Sequence, residues 1–176
     1  MSEFERINRL PTYVFQEVND LKAKLRHKGK DIIDFGMGNP DMPTPSHIRE
    51  KLQETVNKPG TGRYSTSRGI PGLRKAQVSY YERRFGVKLD PDKEVVVTLG
   101  SKEGLANLAQ AITSPGDIIL SPNPSYPIHP YGFIIAGASL RHLPAMEDGQ
   151  FNQELFLDKL DRAIRHSVPS PKAVIV

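Results

Sequence analysis

The sequence predicts an α/β protein built on a doubly wound, mostly parallel sheet, and two observations carry that prediction. From residue 94 onward the segments alternate strand, helix, strand, helix, strand, helix, strand. That order is what βαβ units with right-handed crossovers produce. The strand segments, such as Val95-Val96-Val97 and Ile118-Ile119-Leu120, are short and continuously apolar, as in sheets covered on both faces.

Taken in order, Pro11 to Arg26 reads as a first helix, with Val14, Val18, Leu21 and Leu25 on one face. Asp31 to Phe35 reads as a short strand and 36–45 as loop. Thr44-Pro45 opens a second helix, Thr44 as N-cap and Pro45 at the first helical position, ending near Asn57. A long polar loop containing Tyr64 runs to Pro71, and a helix follows from about Gly72 to Phe85, stopped by Gly86. Glu94 to Thr98 is β-branched and reads as a buried strand. Ser101 to Thr113 reads as a helix with Leu105, Leu108, Ala109 and Ile112 as its stripe. Ser114-Pro115-Gly116-Asp117 is a turn, and Ile118 to Leu120 a buried strand. A Pro-rich loop, Ser121 to Pro130, leads into a helix that ends by Gly137. Ser139 to Leu143 is a strand, and Asn152 to Arg165 a helix with Phe156, Leu160, Ala163 and Ile164 inward. Ala173 to Val176 is a last buried strand. An open sheet exposes that apolar edge, so the chain is expected to be the first part of a longer polypeptide.

Composition narrows the function. With 38% hydrophobic residues the chain can build a core. No apolar run approaches the ~20 residues of a membrane span, and the N-terminus has no basic start followed by an apolar block. A cytoplasmic protein is expected. There is no cysteine, so disulfides and thiolate chemistry are excluded. The net charge is +4, but the basic residues are scattered and many adjoin acids, as in Asp158-Lys159 and Asp161-Arg162. That is a solvated mixed surface, and neither a nucleic-acid nor a membrane partner is expected.

The stretch Val97-Thr98-Leu99-Gly100-Ser101-Lys102-Glu103-Gly104-Leu105 passes from strand through a glycine turn into a helix. A helix start offers unpaired N–H groups and partial positive charge. Gly100 allows close backbone approach, Ser101 adds a hydroxyl and Lys102 a full charge. Together they make an anion site suited to phosphate. The competing reading is that Ser101 caps the helix and Lys102 faces water. The spacing matches neither a Walker loop nor the Gly-x-Gly-x-x-Gly fingerprint, which points away from ATP and NAD. The stiff loop Pro122-Asn123-Pro124-Ser125-Tyr126-Pro127 follows the next strand. It falls at the carboxyl edge of the sheet, where open α/β folds bind ligands. There Tyr126 can lie over a flat aromatic ligand, or pack on the protein's own surface.

These segments, together with Gly36-Met37-Gly38-Asn39-Pro40-Asp41 and Tyr64-Ser65-Thr66-Ser67-Arg68-Gly69-Ile70-Pro71-Gly72-Leu73-Arg74, stand in the order and spacing of one family. The chain resembles the class I/II aminotransferases of pyridoxal-phosphate fold type I over essentially its whole length. The Arg6 to Phe15 start and the wording of the Tyr64 segment are most similar to bacterial alanine aminotransferases of that class.

The resemblance implies a pyridoxal 5'-phosphate cofactor, with Gly100, Ser101 and Lys102 at its phosphate and Tyr126 stacked on its ring. It implies that Tyr64 reaches the phosphate of a neighbouring subunit's cofactor, and so a homodimer with shared sites. Gly38 would meet the substrate carboxylate through its backbone, and Tyr13 would lie near the substrate entrance. A cis bond is expected at Asn123-Pro124. Residues 1–44 are expected to form an N-terminal arm with part of a small domain, and 45–176 the first part of the cofactor-binding large domain. The implied reaction exchanges an amino group between an amino acid, alanine favoured, and a 2-oxo acid such as 2-oxoglutarate. The aspartate at the pyridine nitrogen, the lysine that carries the cofactor and the arginine that clamps the substrate carboxylate are expected beyond Val176. Lys102, in the phosphate loop, is not read as that lysine, so no catalytic residue is assigned in this chain and it is expected to be inactive alone. The alternatives are a carbon–sulfur lyase on the same cradle, an aspartate, aromatic or diaminopimelate aminotransferase, and an amino-acid-sensing regulator.

Overall fold

In the computed structural model, which describes residues 4–36, 38 and 40–176, one strand organises the core. β1 (Ile118–Asn123) pairs in parallel with β2 (Ser139–Pro144), with Ile118 opposite Ser139 and Asn123 opposite Pro144. Its other edge pairs in parallel with β5 (Ala173–Val174), so the strand order is β2-β1-β5. A small antiparallel pair, β3 (Met146–Glu147) and β4 (Gln150–Phe151), follows β2 and was not foreseen from the sequence.

Side chains alternate across a strand, and β1 uses both faces. Ile119 packs with Ala109 of α5 (Ser101–Ile112), Phe133 of α6 (Ile128–Ala136) and Ala138. Ile118 and Leu120 turn the other way, onto Leu143 and Ala163, the latter on α7 (Gln153–His166). Helices therefore cover the sheet on both sides, which is why the strand reads as unbroken apolar sequence. This is the α/β, doubly wound, mostly parallel architecture expected.

Local chemistry sets the ends of the elements. α4 (Pro71–Phe85) starts with proline at its first position and stops at Gly86, which is left-handed at φ 69°. α6 ends the same way at Gly137, φ 98°. Asn152 caps α7 by accepting a hydrogen bond from the Leu155 N–H at 2.9 Å, while its own N–H donates to the Ala145 carbonyl at 3.0 Å. Asn152→Ala is expected to lower stability by about 1 kcal/mol, with Asn152→Ser recovering most of it. Urea denaturation of the three proteins checks this.

Several expectations are corrected. Glu94 to Thr98 forms no strand: Val96 is 61% exposed, and the backbone there is irregular. β-Branched residues favour a pleat only where a neighbouring ladder completes it, and none of the described strands pairs there. Asp31 to Phe35 is irregular for the same reason. Thr44 is not an N-cap: the next helix is α3 (Ser46–Val56), and Pro45 stands at its cap position. β1 extends to Asn123, past the expected end at Leu120, because pairing with β2 continues through Ser121, Pro122 and Asn123. On α5 and α7 the buried stripe is narrower than read, with Leu108 51% and Ile164 49% exposed. Asn123-Pro124 is cis, as expected, and so is Val168-Pro169.

The described residues divide into two compact units, 4–11 with 68–176 and 12–67. The first also includes the short α1 (Glu5–Asn8). The second holds α2 (Val14–His27) and α3. On α2 the covered positions are Phe15, Val18, Lys22 and Leu25, while Val14 and Leu21 are exposed. Lys22 belongs to that face because it bonds Asp34 at 2.8 Å. That hydrogen bond, with a second from the Gly36 N–H, holds the Asp34 carboxyl below its ordinary range. Among the described residues no helix is long and apolar enough to cross a membrane.

Candidate functional site

The lengths of α5 and β1 decide where the site falls. Twelve helical residues rise about 18 Å, and six strand residues run about 20 Å. α5 packs on β1 through Leu105 and Ala109, and the chain reverses between them at Ser114–Asp117. There the Asp117 side chain accepts from the Ser114 N–H at 2.8 Å and Gly116 takes φ 94°. The start of α5 is thereby returned to the carboxyl end of β1, where the Pro-rich loop begins.

The start of α5 is a built structure. Gly100 holds φ 91° and ψ 161°, a region open essentially to glycine alone. A Cβ placed there would meet nothing within 4 Å, so its surroundings are open space. The first intrahelical bond runs from the Gly104 N–H to the Gly100 carbonyl, so the amides of residues 101–103 precede the ladder. Gly100 is the cap residue and no side chain caps the helix, which removes the reading of Ser101 as a simple N-cap. Three groups fix the turn. The Thr98 hydroxyl donates to the Gly100 carbonyl at 3.0 Å. Glu103 reaches back to accept from the Leu99 N–H. Gly104 lets Thr98 come close, since a Cβ there would stand 2.9 Å from the Thr98 hydroxyl oxygen.

The loop after β1 brings Tyr126 to this helix start. The Lys102 ammonium lies 5.5 Å from the centre of the Tyr126 ring, within cation–π range. His129 sits edge-on to the same ring, with centroids 5.9 Å apart and planes at 82°. Tyr126 is 45% exposed, so part of its surface is available to a ligand. The structure thus brings Gly100, Ser101, Lys102 and Tyr126 together. Backbone donors, a hydroxyl, a fixed cation and an accessible phenol ring suit a ligand that joins a phosphate to a flat ring. Pyridoxal phosphate has that form, and the open space at Gly100 leaves room for its anion.

The other residues singled out from the sequence lie in the Thr12–Ser67 unit. Tyr64 is fully exposed. Gly38 is exposed, with open space where a Cβ would be. Tyr13 stands at the N-cap of α2 with its ring 5.4 Å from that of Phe15. Met37 and Asn39 of the Gly36–Asp41 segment lie outside the described residues. Sequence reading missed His129, Thr98 and Glu103. The signals were present: His129 is three residues after Tyr126, and Glu103 stands three after the cap, where a carboxylate reaches back.

The aminotransferase class I and II family model matches residues 30–176. The chain belongs to the class I and II aminotransferase family. It is 58% identical over 176 residues to the putative aminotransferase AatC of Rhizobium meliloti (strain 1021), covering 100% of this chain and 42% of that protein. It is 53% identical over 173 residues to the glutamate-pyruvate aminotransferase AlaC of Escherichia coli (strain K12), covering 98% of this chain and 41% of that one. Among solved structures, an aspartate aminotransferase from Thermus thermophilus with maleate superposes with a TM-score of 0.85 at 28% identity, over 100% of this chain and 44% of that one. This aminotransferase-family chain therefore spans about two fifths of the length of the curated relatives it matches. The Gly100–Lys102 turn and the Tyr126 loop both fall within the matched residues.

Proposed function

We propose that this chain forms the phosphate-holding part of a pyridoxal-phosphate-dependent aminotransferase that moves an amino group between L-alanine and a 2-oxo acid such as 2-oxoglutarate. One observation carries the reading: the Lys102 ammonium stands over the Tyr126 ring at the first turn of α5, beside the glycine-only turn at Gly100. When bound, the cofactor supplies the aldehyde and the electron-withdrawing ring that amino transfer requires. The chain's own residues hold and orient it. Gly100, Ser101 and Lys102 receive the phosphate, Tyr126 covers the ring, and His129 keeps Tyr126 from turning. Gly38 meets the substrate carboxylate through its backbone, and Tyr13 lies at the entrance. Full exposure of Tyr64 suits a side chain that completes the site of a second copy, and so a homodimer with shared sites. The likeness to the glutamate-pyruvate enzyme supports alanine as the amino donor. The division at residue 44, between an arm with part of a small domain and the start of the large domain, belongs to the same reading, as does a cytoplasmic location.

The test is an assay of the full-length protein with pyridoxal phosphate, L-alanine and 2-oxoglutarate. Formation of glutamate and pyruvate in equal amounts is expected. Pyruvate and ammonia released without any acceptor would instead identify a lyase. A marked preference for aspartate, an aromatic amino acid or diaminopimelate over alanine would overturn the substrate assignment. The 176-residue chain by itself is expected to transfer no amino group, because Lys102 is assigned to the phosphate and no other lysine among the described residues is assigned to the cofactor. Turnover by that chain would overturn this assignment of Lys102.

A further inference from the structure

A charged side chain lies buried outside the site, bonded to the loop that packs on the segment leading into it. Arg74, on the first turns of α4, is 8% exposed. Its guanidinium spends three nitrogens on three different acceptors: Nε donates to the Pro91 carbonyl at 2.8 Å, Nη2 to the Asp92 carboxylate at 2.8 Å, and Nη1 to the Gly69 carbonyl. Arg68 closes the cluster by donating to the Asp92 carbonyl. The Arg74 hydrogen bond is the first cause that holds the Asp92 carboxyl below its ordinary range. A buried arginine is costly unless fully paired, and an apolar side chain would fill the same space more cheaply. The fork must therefore be worth its geometry.

What it fixes is Gly69. That residue takes φ 80° with its backbone so close to Val97 that a Cβ would stand 2.3 Å from a Val97 methyl carbon. The preceding carbonyl, of Arg68, accepts from the Val97 N–H at 3.3 Å. Val97 leads directly into Thr98, whose hydroxyl holds the Gly100 carbonyl. Residues 94–98 have no strand partner among the described residues; Val97 is held instead by the Arg68 carbonyl and the close approach of Gly69.

We propose that Arg74 is a positioning residue for the phosphate cradle, acting through Gly69 and Val97 on Thr98 and Gly100. This rests on the phosphate reading of residues 100–102 given above. Misplacement of reacting groups by about 1 Å can cost on the order of 100-fold in rate, so hydrogen-bond donors aimed at an anion also depend on placement, and a lysine cannot reproduce a three-way fork.

The experiment compares pyridoxal phosphate with pyridoxal binding to the cofactor-free full-length protein, for wild type, Arg74→Lys, Arg74→Gln and Asp92→Asn. Both ligands carry the aldehyde and ring, so the ratio of their affinities isolates the phosphate. Wild type is expected to favour pyridoxal phosphate. Arg74→Lys and Arg74→Gln are expected to lower that ratio by about 10-fold or more, with pyridoxal affinity nearly unchanged and faster hydrogen exchange at the amides of 97–102. Asp92→Asn, at an exposed carboxylate, should fold normally and shift the ratio less in the same direction. General destabilisation would weaken both ligands alike and overturn the proposal. So would an unchanged ratio in the Arg74 variants beside a clear wild-type preference. Equal wild-type affinities for the two ligands would instead overturn the phosphate reading itself, and the role of Arg74 with it.

Discussion

Gly100→Val in the full-length protein will reduce pyridoxal phosphate affinity by about 10-fold or more and stability by about 1–3 kcal/mol. Both effects come from the backbone pair φ 91°, ψ 161°, which a side chain bearing a Cβ does not adopt without strain. Relief requires Gly100 to rotate. Rotation swings its carbonyl off the Thr98 hydroxyl and moves the first amides of α5, the donors assigned to the phosphate. A contrast separates strain from function. Gly86 is also at positive φ, 69°, in the ordinary left-handed region at the end of α4. Gly86→Ala should cost about 1 kcal/mol in stability and leave cofactor affinity untouched. Equilibrium binding and denaturant unfolding on both variants test the pair. Equal affinity in wild type and Gly100→Val would mean that the turn holds no phosphate.

Ile119→Ala will destabilise the protein by about 2–5 kcal/mol. Ile119 is fully buried in the central strand, between two helices packed on one face. Those helices meet there with the sheet, so the cavity cannot be closed by one element moving. The matched change at an exposed apolar position, Leu157→Ala on α7, should fall within about 0.5 kcal/mol of wild type. Denaturant midpoints of the two variants decide it. A small loss at Ile119 would show that the core is looser than its burial implies.

The parts of the site that could be read in the sequence were those whose chemistry is local. A glycine, a hydroxyl, a cation and a helix start are consecutive from Gly100, and the stiff Tyr126 loop follows the next strand. The glycines that end α4 and α6 were equally legible, because φ preferences belong to the residue; the starts were not, since Pro71 opens α4 and α6 begins at Ile128, inside the expected loop. The failures share one cause. Val95-Val96-Val97 reads as a strand, yet a strand exists only when another chain segment supplies its ladder. The same holds for the stripe on α2, where Lys22 displaced Leu21 from the covered face because its partner, Asp34, comes from another part of the chain. Gly69 looked like loop punctuation until the Val97 methyl groups appeared against it.

Periodicity and backbone preference act over a few residues, and they were enough for the α/β class, the buried strand at Ile118-Ile119-Leu120 and the composition of the anion turn. Contacts across the fold were needed to show that Tyr126 faces Lys102, that His129 lies edge-on to the ring, and that a buried Arg74 bonds the carbonyl of Gly69, which packs against Val97. These are distances between residues far apart along the chain. They are set by how α5 folds back on β1 and how residues 68–74 close on 91–97, and packing rather than local preference fixes both.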